Sequence, residues 1–203
     1  MTDIESLGSR HIARRDPVMA ALIRRVGPLS AARRQPRFAA LARTIVGQQV
    51  STKAAASVYR RLRVAAGGHV TAERLDDLGP AGLATAGISR QKATYLADLA
   101  RRVASGDVRL DRLHRLDDEQ VIEQLTAIRG LGVWSAQMFL IFVLHRPDVL
   151  PVDDLGIQNA FQRAYGLRQR PAAAKMLALS ADWEPYRSVG TRLLWRSLEV
   201  TPQ

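Results

Sequence analysis

Two carboxylates stand side by side at Asp153 and Asp154, in the segment Leu150-Pro151-Val152-Asp153-Asp154-Leu155-Gly156-Ile157. A carboxylate can stabilise a developing positive charge, orient or deprotonate a water, or cap the helix that follows it. Pro151 stiffens the chain just ahead of the pair, because its ring fixes φ. Upstream lies a second segment with chemical potential, Thr126-Ala127-Ile128-Arg129-Gly130-Leu131-Gly132-Val133-Trp134-Ser135-Ala136. Its two glycines permit positive φ and close approach of backbone to a ligand. A helix starting at Val133 offers N–H groups that lack internal partners and carry partial positive charge, and a phosphate oxygen suits them. The same glycines also fit an ordinary helix end and connection. Leu131, between them, is expected to pin the turn to the core.

Composition removes several other chemistries. The 203 residues contain no cysteine, which excludes disulfides, a thiolate nucleophile, cysteine zinc sites and a cysteine-ligated iron–sulfur cluster. His11, His69, His114 and His145 are scattered without metal-ligand spacing. There are 30 basic and 19 acidic side chains, a net charge of +11. Such a surplus favours a polyanionic partner, nucleic acid being the commonest. Only Lys53, Lys92 and Lys175 are lysines, and arginine suits bidentate phosphate contacts. No secretory stretch opens the chain and no apolar run is long enough to cross a membrane, so a cytoplasmic location without membrane association is expected.

The elements that must hold these groups read as helices. Phe38, Leu41, Ile45, Val58 and Leu62 recur at helical spacing, interrupted by Gly47-Gln48-Gln49-Val50-Ser51, with Ser51 suited to cap a second helix. A further helix is predicted from Ser89, carrying Tyr95, Leu96 and Leu99. Another is capped by Asp117 or Asp118 and presents Val121, Ile122, Leu125 and Ile128, ending at about Ile128. The apolar run Val133–Leu144 predicts a buried helix, broken by Arg146-Pro147-Asp148. A last helix is predicted from Pro185 to Leu198, with Val189, Leu193, Leu194 and Leu198 facing inward. About fifteen residues at the start and the last few are expected to be loosely held. With 47% hydrophobic residues and no alternating β pattern, the fold class is all-α.

In this order and spacing, the motifs resemble those of the helix-hairpin-helix DNA glycosylase superfamily, in its alkylpurine (3-methyladenine DNA glycosylase II) branch. The resemblance rests on Ile45-Val46-Gly47-Gln48-Gln49-Val50-Ser51, Gly132-Val133-Trp134-Ser135-Ala136, the Pro-Val-Asp turn at 151, and Trp183-Glu184-Pro185-Tyr186-Arg187-Ser188 leading to Trp195. It covers residues 38 to 198 and implies the compact form of the family, without an N-terminal β-rich domain. Two lobes flanking a DNA-binding cleft are implied, one of residues 31–144 with the hairpin at 125–136, the other of 1–30 plus 145–203.

The resemblance also implies roles. The catalytic aspartate matches Asp154, leaving Asp153 as the alternative and as the helix cap. Trp134 and Trp195 match aromatic residues that receive the flipped base, and Met138 stands where relatives place another aromatic, which changes the pocket's shape. Trp183 is assigned to structural packing. Gln48, Gln49 and Ser51 belong to the loop that wedges the duplex, with Gln49 at the inserting position. Gly130, Leu131, Gly132 and Ser135 belong to the phosphate-binding hairpin. Carbonyls of Thr126, Ile128 and Leu131 would hold a monovalent cation, Na+ or K+; no organic cofactor is implied. The expected partner is double-stranded DNA containing alkylated bases, bound by a nucleoid-associated monomer. A related branch that also cleaves the strand places a Schiff-base lysine where this chain has Trp134, and a non-catalytic hairpin module would have no use for Asp154 with the aromatic pair.

Overall fold

The computed structural model describes residues 4–30 and 34–199. Among them every regular element is helical and none is a strand. In chain order the helices are α1 (Ile4–Arg15), α2 (Pro17–Val26), α3 (Arg37–Gly47), α4 (Thr52–Ala65), α5 (Ala72–Thr85), α6 (Arg90–Ala104), α7 (Asp118–Thr126), α8 (Val133–Phe142), α9 (Leu155–Ala164), α10 (Ala173–Leu179) and α11 (Arg187–Glu199). The described residues fall into two compact units. One is continuous, Arg34–Leu144; the other draws on Met1–Arg33 and His145–Gln203.

The discontinuous unit packs α1, α2, α9 and α11 around Ile12, Met19, Ile157, Phe161, Trp183 and Leu193, all fully buried. Its organising polar group is Asp16. One carboxylate oxygen accepts the Met19 N–H at 3.0 Å and so caps α2, where Pro17 supplies a preset φ. The other oxygen accepts the Trp183 indole N–H at 2.9 Å and the Tyr165 hydroxyl. Burial, with the adjacent Asp16 carboxylate, pushes the Tyr165 hydroxyl well above its ordinary pKa, so it stays a donor. Trp183 stacks on Phe161 at 5.4 Å, which makes it a packing residue, as anticipated.

The expectation that the N-terminal stretch is loosely held is corrected for the described residues. Ile12 is fully buried, and the Glu5 carboxylate pairs with Arg192 of α11 at 2.6 Å while only 3% exposed. A buried ion pair separated by most of the sequence has no local signature, which is why it escaped detection. The expectation for the final residues falls on 200–203, outside the described residues.

The continuous unit holds α3 to α8. The predicted caps are observed: Ser51 accepts from Ala54 N, Ser89 from Lys92 N, and Asp117 forms a reciprocal capping box with Gln120. The helices before and after the two glycines are shorter than predicted, ending at Thr126 and Phe142 rather than at Ile128 and Leu144. Helix α5 was not predicted. It bends at Gly79, whose φ of 56° breaks the helical path ahead of Pro80, and that Gly-Pro pair reads as a turn in sequence.

Candidate active site and nucleic-acid interface

In the discontinuous unit the chain leaves Pro151 in a tight turn, with the Asp154 N–H donating to the Pro151 carbonyl at 3.1 Å. That turn delivers Asp154, not Asp153, to the N-cap of α9. Its Oδ1 accepts the Ile157 N–H at 2.7 Å. The assignment of Asp153 as the cap is therefore corrected, and Asp153 is exposed. The same Oδ1 also accepts the Trp195 indole N–H at 3.1 Å. Asp154 Oδ1 thus takes two donors at once, one from the first turn of α9 and one from the Trp195 indole. Gly156 leaves room for the arrangement: a Cβ there would crowd it, lying 3.0 Å from Asp154 Oδ1 and 3.4 Å from Trp195 Nε1.

The continuous unit carries the hairpin. Gly130 adopts φ 81°, and a Cβ at this position would lie 2.2 Å from the Tyr95 ring. Only glycine fits, for both conformational and steric reasons. Gly132 differs. Its backbone is extended, nothing lies within 4 Å of where its Cβ would be, and it begins α8 without a side-chain cap. Leu131 between them is 5% exposed and pins the turn, as expected. Ser135 is buried, so this serine offers the surface its place in the first turn of α8 rather than its hydroxyl. Trp134 is 47% exposed on that first turn, and Met138 is partly buried one turn on.

The hairpin is braced from neighbouring elements, in part by Asp98, which the sequence reading did not assign. Asp98 of α6, on the buried face, accepts the Arg129 N–H at 2.9 Å and pairs with Arg101 and Arg102. Burial raises its pKa, but those three donors outweigh burial and hold the carboxyl below its ordinary range. The signal was present: an aspartate inside the stripe Leu96, Leu99, followed at helical spacing by two arginines. Lys92 donates to the Val46 carbonyl at 2.8 Å, and Gln48 donates to the Gly130 carbonyl at 2.5 Å. The two glutamines of the interrupting loop therefore separate in role. Gln48 is tied to the hairpin, while Gln49 is exposed with a left-handed φ of 55°. Ser51 is exposed and closes the loop by capping α4.

Among the described residues no group of three or more His, Asp or Glu could hold a metal ion, and no helix is long and apolar enough to cross a membrane.

Comparison with known proteins places these features in one lineage. Residues 42–185 match the family described as the HhH-GPD superfamily base excision DNA repair protein. DNA-3-methyladenine glycosylase 1 of Schizosaccharomyces pombe is 30% identical over 196 residues, covering 94% of this chain and 86% of that protein. The Bacillus subtilis protein YfjP is 43% identical over 111 residues, covering 55% of this chain and 39% of its own length. The solved structure of the Schizosaccharomyces pombe 3-methyladenine DNA glycosylase Mag1 in complex with abasic DNA superposes with a TM-score of 0.84 at 29% identity, covering 96% of this chain and 97% of that one. With the match spanning the loop, the hairpin and Asp154, this chain belongs to the HhH-GPD superfamily of base excision DNA repair proteins.

Proposed function

We propose that the protein hydrolyses the N-glycosidic bond of alkylated bases, such as 3-methyladenine and 7-methylguanine, in double-stranded DNA, without cleaving the strand. The observation that carries this reading is the Asp154 carboxylate, oriented by Ile157 N–H and Trp195 Nε1–H. Bond cleavage gives the sugar oxocarbenium character, and a fixed carboxylate beneath it stabilises that charge and orients the attacking water. An alkylated purine bearing a formal positive charge is already a good leaving group, so no strong general acid is needed. The base must leave the stack first. Trp134, Trp195 and Met138 are the candidates to receive it, since a cationic base gains from an aromatic face. Gln49 is the candidate to fill the gap.

The hairpin glycines, Leu131 and the first turn of α8 at Ser135 grip the backbone phosphate. A Na+ or K+ ion on the carbonyls of Thr126, Ile128 and Leu131 would add positive charge beside it. Oxygen donors of a tight turn suit such an ion. The Ile128 carbonyl, which accepts the Leu131 N–H at 3.1 Å, keeps a second lone pair for it. A monomer suffices for a single lesion.

The test is base release from methylated duplex DNA, with wild type beside Asp154→Asn, scoring free bases by chromatography and strand breaks without alkali. Free methylpurines from wild type alone, with an intact strand, support the reading. Spontaneous strand cleavage, or equal release by Asp154→Asn, overturns it.

A further inference from the structure

Gln49 holds a conformation that L-residues avoid, since a positive φ crowds Cβ against the backbone. Something must hold it there. Its C-terminal side is fixed by Ser51, whose hydroxyl caps α4. On its N-terminal side α3 ends, with Lys92 bonded to the Val46 carbonyl and Gln48 extended at φ −61°, ψ 134°. The Gln48 side chain then crosses to a segment 82 residues away and donates Nε2–H to the Gly130 carbonyl.

The peptide it reaches is an anchored one. The Gly130 carbonyl accepts from Gln48, and the N–H of the same peptide, that of Leu131, donates to the Ile128 carbonyl at 3.1 Å. Both polar groups of the 130–131 peptide are therefore bonded and its plane is set. Tyr95 packs beneath Gly130, and Asp98 holds the Arg129 N–H. The hairpin thus has braces that do not involve Gln48, whereas the loop reaches the hairpin through the Gln48 side chain.

We propose that Gln48 is a positioning residue: through the Gly130 carbonyl it transfers the hairpin's rigidity to the loop and keeps Gln49 poised to enter the gap left by an extruded base. The inference rests on the glycosylase reading above and refines it. Phosphate capture by the hairpin and gap filling by the loop become one rigid act. Discrimination between a gapped and an intact duplex then depends on Gln48, although its side-chain amide is bonded to the Gly130 carbonyl.

The experiment compares wild type with Gln48→Met, which keeps the length and removes the donor. Binding is measured to one duplex in intact form and with a stable abasic-site analogue, and thermal unfolding is followed in parallel. Wild type should prefer the abasic duplex. In Gln48→Met that preference should fall about ten-fold, while intact-duplex affinity stays within about two-fold and the unfolding midpoint moves little. Gln49→Ala should lower abasic binding in wild type but add less than two-fold in the Gln48→Met background, because an unanchored side chain has nothing left to lose. A preference kept by Gln48→Met overturns the proposal alone, as does an equal loss on both duplexes. A wild type with no preference overturns the glycosylase reading with it.

Discussion

The Trp195 indole N–H and the Ile157 backbone N–H converge on a single oxygen of Asp154, at 3.1 and 2.7 Å. One oxygen carries both bonds, so on the proposed reading capping and chemistry share one side chain. This gives a sharp test of residue assignment. Asp154→Asn keeps the cap, because asparagine caps about as well as aspartate, and stability should change by less than about 1 kcal/mol. Base release should fall by about 10²–10³-fold through loss of the charge, with DNA affinity within several-fold. Asp153→Asn should leave release unchanged in the same assay.

Trp195→Phe isolates the indole N–H from the ring. A hydrogen bond to a charged group contributes about 1.5–3 kcal/mol, and some of it is replaced by water in the variant. Single-turnover base release should slow by roughly ten-fold, with KM nearly constant. A change confined to KM would show that Trp195 only binds substrate.

The two hairpin glycines should separate cleanly. Gly130→Ala imposes a left-handed alanine, costing about 1–2 kcal/mol, and drives Cβ into the Tyr95 ring. Urea unfolding should show a loss of at least about 2 kcal/mol. Gly132→Ala meets no protein atom, so stability should stay within about 0.5 kcal/mol, while duplex affinity should drop if, as proposed, backbone approaches phosphate there. Equal stability loss in both variants would contradict this division.

Asp98 makes the hairpin acid-sensitive. Its folded pKa lies below the ordinary carboxylate range, so its contribution is complete above the unfolded pKa and is lost as pH falls through the folded one. Stability measured by urea should therefore decline on acidification below that range, and Asp98→Asn should flatten this part of the profile. The variant should also lower duplex affinity near neutrality, since Arg129 N–H loses its charged acceptor.

Duplex affinity should fall steeply with salt, log K against log salt sloping by about −0.9 for each phosphate neutralised. A filter-binding series on intact duplex checks this. A flat profile would show that the +11 charge does not act on phosphate.

What was legible in sequence was local. The helix caps at Ser51, Ser89 and Asp117, the Gly-Leu-Gly turn and the helix beginning at Val133 follow from residues within a few positions of each other. What was not legible depended on distant partners. Glu5 looks like a surface residue until Arg192 arrives, and Asp16 gives no hint of Trp183 and Tyr165. Choosing between Asp153 and Asp154 as the cap required the path of the turn after Pro151, which two adjacent, identical residues cannot encode. The tie of Gln48 to the hairpin posed the same difficulty, since its partner, the Gly130 carbonyl, lies 82 residues away.

The interleaving of the two units along the chain has a consequence for biosynthesis. The unit Arg34–Leu144 is one continuous stretch, complete once its own residues have left the ribosome. The other unit must wait for α11, which supplies both Arg192 for Glu5 and Trp195 for Asp154. A nascent chain stalled before α11 therefore displays a finished hairpin and a carboxylate that lacks its Trp195 donor. On the proposed reading such a fragment binds a duplex and releases no base, so the order of synthesis itself withholds base release until α11 is made.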